Sequence, residues 1–170
     1  MMNGLTRLED ALKTVLAAAQ PLGVEKVGLL EALGRVLGED IIAARDNPPW
    51  DNSAMDGFAV RWEDIRQEHA ITKPIELTVV EDVPAGKMPI MIVGPGQAIR
   101  IMTGAPIPKG ADTVVKVEET EASQDRVRIF KQEARGANIR PQGEDVKKGD
   151  RIIARGTQLR PGEVGMLAIL

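Results

Sequence analysis

A mainly β chain with α-helices, organised around a compact barrel or sandwich, is the fold class this sequence predicts, and three observations carry it. Residues 1–45 read as helical, whereas the 17 glycines and 11 prolines fall mostly between residues 84 and 162. From Asn47 to about Gln142 short apolar runs alternate with turn residues, as in an all-β module. In Arg126-Val127-Arg128-Ile129-Phe130 the valine and isoleucine face one way and the arginines the other, which is the alternation of a half-buried strand.

Taken in order, Thr6 and Glu9 have the spacing of a capping box, and Leu8, Leu12, Val15 and Leu16 follow at helical intervals. This predicts an amphipathic helix from Arg7 to Ala19, ended by Pro21 and Gly23. Val24 to Val27 reads as a short strand. Leu29, Leu30, Leu33 and Val36 mark a second short helix, and Glu39 to Ala43 is extended. Strands are expected at Ile75–Val80, Gln97–Met102, Thr113–Glu118 and Arg126–Phe130. Arg151–Ala154 and Thr157–Leu159 flank Arg155-Gly156 as the arms of a hairpin would. Pro161 then opens a helix from a favoured first-turn position. Its end, Met166-Leu167-Ala168-Ile169-Leu170, is apolar and lacks a capping glycine or a basic last turn, so the natural chain is expected to continue.

The balance of 22 basic and 25 acidic side chains, net charge -3, gives no electrostatic footprint for nucleic acid. No cysteine is present, which removes disulfides, thiolate metal sites and cysteine nucleophiles together. Apolar runs fall short of the roughly 20 residues that span a bilayer, and the N-terminus has no signal pattern. No membrane partner and a cytoplasmic location are expected.

Three polar loops stand out. The first, Asp51-Asn52-Ser53-Ala54-Met55-Asp56-Gly57, follows Pro48-Pro49-Trp50, whose prolines exclude helix at the entry. The second, Thr103 to Asp112, offers a hydroxyl, backbone amides and Lys109 directly after a strand. The third runs from Asn138 to Asp145 and includes Arg140. If the loops converge, Asp51, Asp56, Glu144 and Asp145 make an oxygen-rich cluster suited to Mg²⁺, which takes one or two carboxylates and keeps several waters. Phosphate or oxyanion chemistry would follow, with the Arg140 guanidinium as the anion contact.

Each feature also has a plainer reading. Asp56-Gly57 is a common turn dipeptide, Thr103 closes an ST-turn ahead of Pro106, and Glu144-Asp145 is a solvated exit from the module. His69 lies in a polar stretch and reads as surface. Trp50 and Trp62 read as packing residues at the module's edge, with substrate stacking as the alternative for Trp50.

The segments Asp51-Asn52-Ser53-Ala54-Met55-Asp56-Gly57-Phe58-Ala59-Val60, Arg100-Ile101-Met102-Thr103-Gly104-Ala105-Pro106 and Gly143-Glu144-Asp145 resemble, in order and spacing, the signatures of the MoeA family of molybdopterin molybdenumtransferases, which includes the E domain of gephyrin. Glu31-Ala32-Leu33-Gly34-Arg35-Val36-Leu37 matches upstream, and the similarity runs from the first helix to the last residue. The resemblance implies molybdenum cofactor biosynthesis. The substrates would be molybdate and adenylylated molybdopterin, with release of AMP and assistance from Mg²⁺. A homodimer is implied, and the molybdopterin adenylyltransferase acting upstream becomes a candidate partner.

For the fold, the resemblance implies a β-rich domain over 47–145, an elongated mixed α/β linker domain from 24–46 and 146–170, and an N-terminal helix, 1–23, that packs on a later domain. By position Asp56, Thr103, Glu144 and Asp145 match functional residues of the family, with Arg140 in the same loop; catalytic roles are expected for Asp56, for Asp145 and for Thr103, whose hydroxyl would bond oxyanion oxygens. Asp51, Asn52, Ser53, Arg140 and Glu144 fall to substrate binding, and Asp56, Glu144 and Asp145 to Mg²⁺. Phe58 stands where tyrosine is common. The downstream α/β domain with its Thr-Gly-Asp-type loop and the small C-terminal β domain have no counterpart in the 170 residues. The chain is therefore expected to supply part of a site shared between subunits and to be inactive alone. Two alternatives remain: a non-catalytic binding or scaffold module of the same fold, and a free-standing Mg²⁺ phosphohydrolase, for which no nucleotide cradle is visible.

Overall fold

The computed structural model describes residues 6–20, 22–66 and 73–169. His69, Pro21 and Leu170 lie outside them. The backbone divides into two compact units, Met1–Glu39 with Arg155–Ile169, and Asp40–Ala154.

The unit Asp40–Ala154 contains the strands β1 (Ile41–Ile42), β2 (Asn52–Ser53), β3 (Gly57–Val60), β4 (Ile75–Val83), β5 (Gln97–Ile101), β6 (Thr113–Lys116), β7 (Thr120–Ser123), β8 (Arg126–Ile129), β9 (Ile139–Arg140) and β10 (Arg151–Ile153). Six of them form one curled sheet in the order β6-β3-β5-β4-β8-β7, while β1 pairs with β10 and β2 with β9. The expected β-rich module is present. Within the large sheet every neighbouring pair is antiparallel except β4 and β5.

Both faces of the sheet's centre are buried, which is why its strands read as continuous apolar runs rather than alternations. Phe58, Val60, Leu77, Ala98, Val115, Val127 and Ile129 pack on one side with Ile65. Ala59, Val83, Val93, Ile99, Ile101, Ala105 and Val114 pack on the other. Each fully buried valine or isoleucine contributes about 1.5–3 kcal/mol through area removed from water. The arginines of β8 face outward as expected, and Arg126 and Arg128 both reach Glu76. A single turn, α2 (Trp62–Ile65), was not legible in the sequence. It is fixed by tertiary bonds, from Trp62 N to Asp112 Oδ1 at 2.6 Å and from Trp62 Nε1 to the Glu133 carbonyl at 3.2 Å.

In the unit Met1–Glu39 with Arg155–Ile169, α1 (Leu8–Ala18) forms one residue shorter at each end than predicted. The capping box does not form. Arg7, not Thr6, is the capping residue, and no side chain caps the helix. Its carbonyl accepts from Asp10 N and Ala11 N, which leaves Thr6 one position too early. The helix expected over Leu29–Val36 is only a 3₁₀ turn, Leu29–Glu31, and residues 24–27 form no strand. Leu30 and Leu33 stay exposed, so no buried face rewards extension of the turn.

The predicted hairpin is replaced by two separate pairings. Residues 34–37 zip against 156–159, with Gly34 N donating to the Leu159 carbonyl (2.7 Å) and Leu37 N to that of Thr157 (2.9 Å). β10 pairs with β1 in the other unit. Arg155-Gly156 is a turn, as its residues suggest, but a turn dipeptide does not choose the partners of its flanks.

The helix α3 (Pro161–Ile169) starts at Pro161 as predicted. Glu163 accepts from Arg160 N at 3.0 Å and from its guanidinium at 2.7 Å. That guanidinium, first among the causes, holds the Glu163 carboxyl down at about 2 against an ordinary 4.5. A depressed carboxylate contributes to the folded state above its unfolded value and loses that contribution as pH falls toward its folded value. The Val164 amide, bonded to the Arg160 carbonyl, should therefore lose exchange protection as pH falls from 4.5 to about 2. Glu163→Gln should show no such window, and amide exchange followed against pH checks it.

Among the described residues no helix is long and apolar enough to cross a membrane.

Candidate functional site

Backbone bonds bring the three polar loops together at one edge of the β-rich unit. Asn52 and Ser53 in β2 pair with Arg140 and Ile139 in β9, which ties the first loop to the third. Ser53 N donates to the Ala105 carbonyl (3.0 Å), Gly104 N to that of Ser53 (2.8 Å) and Ile107 N to that of Asp51 (2.9 Å), which ties the first loop to the second. Gly143 N reaches the Pro48 carbonyl and Asp145 N that of Asn47, so the third loop is also fastened to the proline-bounded entry. Asn138 adopts a left-handed φ of 59°. There its side-chain amide donates to the Val114 carbonyl and its own carbonyl accepts from Ala54 N. The three loops are thus fastened to one another through their backbones.

The side chains sort into two groups. Asp56 Oδ1 accepts from Thr103 N at 2.7 Å and from Thr103 Oγ1 at 2.8 Å. These bonds, backbone first, hold the Asp56 carboxyl below its ordinary value, with a smaller pull from Arg100. Arg140 forks between Glu144 (Nε to Oε2, 2.7 Å) and Asp145 (2.7 Å). Those two carboxylates raise its pKa further, so the guanidinium stays charged. Asp51 faces the third loop, its Oδ1 accepting from Gln142 N at 2.7 Å.

The four acidic residues do not gather as one cage. Among the described residues no group of three or more His, Cys, Asp or Glu is placed to hold a metal directly. Thr103 draws Asp56 one way and Arg140 draws Glu144 and Asp145 another. A magnesium ion that keeps its waters needs only one or two carboxylates, so Asp56, or the Glu144–Asp145 pair, fits it. Asn52 adds an acceptor, because its buried Oδ1 has no hydrogen-bond partner among the described residues.

Two predicted contacts look different in three dimensions. Ser53 is 1% exposed, and its hydroxyl donates to the Met55 carbonyl at 2.5 Å while accepting from Met55 N at 3.3 Å. The Thr103 hydroxyl expected to meet an oxyanion is engaged by Asp56. Trp62 packs on the core as expected, whereas Trp50 remains 41% exposed. Phe58 lies fully inside the core. Asp46 was missed by sequence reasoning: it accepts from Gln142 Nε2 and from Lys148 N, bracing the third loop. No local motif marks it, because its partners lie about a hundred positions away. An open groove lined in part by Asp51, Ile139 and Pro141 flanks the loops.

Comparison with known proteins covers the whole region. The sequence profile of the MoeA N-terminal region, domain I and II, matches residues 6–170. The molybdopterin molybdenumtransferase of Synechococcus elongatus is 42% identical over 154 residues, 89% of this chain and 38% of its own length. Molybdopterin molybdenumtransferase 2 of Mycobacterium tuberculosis is 39% identical over 169 residues, 99% of this chain and 41% of its own. The crystal structure of the molybdopterin biosynthesis moeA protein from Pyrococcus horikoshii OT3 superposes with a TM-score of 0.90 at 45% identity, covering 98% of this chain and 44% of that one. The chain thus spans about two fifths of the length of the curated relatives it matches.

Proposed function

Because this chain belongs to the MoeA family, as its N-terminal region, we propose that it supplies the loop side of a molybdenum-inserting site in molybdenum cofactor biosynthesis. The observation that carries this reading is the fastening of three polar loops onto one rigid β-rich unit, with Asp56 on Thr103 and Arg140 on Glu144 and Asp145. The relatives are named for molybdenum transfer to molybdopterin, and these loops carry the residues such chemistry needs.

On this reading molybdate and adenylylated molybdopterin are the substrates, and AMP is released. Cleaving an adenylyl linkage places negative charge on phosphate oxygens, and bound Mg²⁺ would supply the offsetting charge. Asp56, or alternatively the Glu144–Asp145 pair, would hold that ion through its waters, and Asn52 Oδ1 would accept from a donor brought with it. Arg140 is the guanidinium nearest these carboxylates in the third loop, suited to an anionic oxygen once Glu144 or Asp145 turns toward the cation. The remainder of the site would come from the part of the relatives' length that these 170 residues do not match, contributed by a dimer mate in the cytoplasm. Delivery of the adenylylated substrate by an upstream adenylyltransferase follows from the same reading.

The test is complementation. The chain is mixed with the remaining three fifths of the Mycobacterium tuberculosis relative and supplied with adenylylated molybdopterin, Mg²⁺ and molybdate. Molybdate-dependent AMP release is expected from the mixture and from neither part alone. Stoichiometric association without any AMP release would instead favour a non-catalytic binding module.

A further inference from the structure

Ser53 is bonded to the neighbours of both partners in the Asp56–Thr103 contact. Its backbone is fastened to the second loop twice, by Ser53 N on the Ala105 carbonyl and by Gly104 N on the Ser53 carbonyl, so it fixes the residues that follow Thr103. Its hydroxyl closes a small ring on Met55, bonded to both the carbonyl and the amide of that residue, so it also fixes the backbone leading into Asp56. A hydroxyl bonded to backbone two positions on is a local constraint that sets direction rather than a solvent contact. At 1% exposure no substrate reaches it. The Asp56 carbonyl is held in turn by Val117 N at 3.0 Å, so the backbone of Asp56 is fastened on both sides while its carboxylate meets Thr103.

We propose that Ser53 is a positioning residue: it sets the Asp56 carboxylate on the Thr103 N–H and hydroxyl and does not itself bind substrate. This rests on the reading that Asp56 works in the site. Its primary test nevertheless reads hydrogen bonding in this chain and is independent of whether molybdenum is transferred. Without the Ser53 hydroxyl the Met55 turn relaxes, Asp56 samples other directions, and Thr103 N–H loses its acceptor part of the time.

The experiment is residue-resolved amide exchange by NMR on the chain and its variants. Ser53→Ala should speed exchange of the Thr103 amide about tenfold and leave Ala59 and Ile99, in the core strands β3 and β5, at wild-type rates. Ser53→Thr, which keeps the hydroxyl, should restore Thr103. In an Asp56→Ala background Ser53→Ala should add nothing at Thr103, because the acceptor it positions is gone. If Ser53→Ala does not fold, Ser53→Cys, close in size and a far weaker hydrogen-bonding group, gives the same comparison. An unchanged Thr103 rate, or equal acceleration at Thr103, Ala59 and Ile99, would overturn the proposal and leave Ser53 as a packing residue. In the complementation assay the positioning role lowers kcat about tenfold with KM unchanged. Absence of AMP release from wild type as well as variant counts against the functional reading, not against Ser53.

Discussion

Asp56→Asn is expected to lower molybdate-dependent AMP release in the complemented assay by about 100-fold, while the chain stays folded at the assay temperature. The substitution keeps shape and removes charge. An asparagine oxygen still accepts from Thr103 N and Oγ1, now at 2.7 and 2.8 Å from the carboxylate, so the loops stay fastened. What is lost is the anion, and with it the charge-assisted character that makes such bonds about twice as strong and the attraction for a hydrated cation. The Thr103 donors depress the Asp56 pKa, so the wild-type group is ionised throughout the neutral range and the loss should be the same from pH 6 to pH 8. Asp56→Glu, which restores charge but overreaches Thr103, separates the two requirements: recovery of activity would assign the role to charge alone. Full activity in Asp56→Asn would remove Asp56 from the chemistry.

How much of this was legible in the sequence depends on the range of the interaction concerned. Val127 and Ile129 alternate with Arg126 and Arg128 because each strand residue faces solvent or core by its own parity, and the structure follows that pattern. The loop cluster was legible for a similar reason: prolines, glycines and short polar residues dictate where the backbone leaves the sheet. The partners were not. The β4–β5 pair is parallel, and nothing in either segment states which strand it meets. The arms beside Arg155-Gly156 chose partners about 110 to 120 positions upstream. Leu29, Leu30, Leu33 and Val36 carry helical spacing but yield one 3₁₀ turn, since spacing yields a helix only where a face is there to bury it. Within the site, the acidic residues were visible, but their division between Thr103 and Arg140 depends on hydrogen bonds that form only after the loops have met. Metal binding by a single four-carboxylate cluster was the natural reading of composition; in the structure Thr103 takes Asp56, Gln142 N takes Asp51, and Arg140 takes Glu144 and Asp145.

Gly57→Ala should be a severely damaging single-methyl change, destabilising the β-rich unit by about 3 kcal/mol. The sequence presents Gly57 as the second half of a turn dipeptide, where a positive φ would be the reason for glycine. In the structure it opens β3 instead, between Ile101 of β5 and Lys116 of β6. A Cβ there would lie 1.9 Å from the Val115 carbonyl oxygen, 2.9 Å from its carbon and 3.1 Å from Lys116 Cα. All three atoms are backbone, so no side chain can swing aside, and β6 must retreat from β3. Retreat would open the core around Val114 and Val115, both fully buried, and would pull Val117 N away from the Asp56 carbonyl it holds. The effect should therefore appear twice: as a lower midpoint in urea unfolding, and as faster exchange at Thr103 even where the chain remains folded. Gly104→Ala is the matched control. Gly104 has a positive φ of 83° but open space around a would-be Cβ, so its cost is backbone conformation alone, on the order of 1 kcal/mol. A Gly57→Ala variant no less stable than Gly104→Ala would mean that β3 and β6 do not approach as closely as the structure places them.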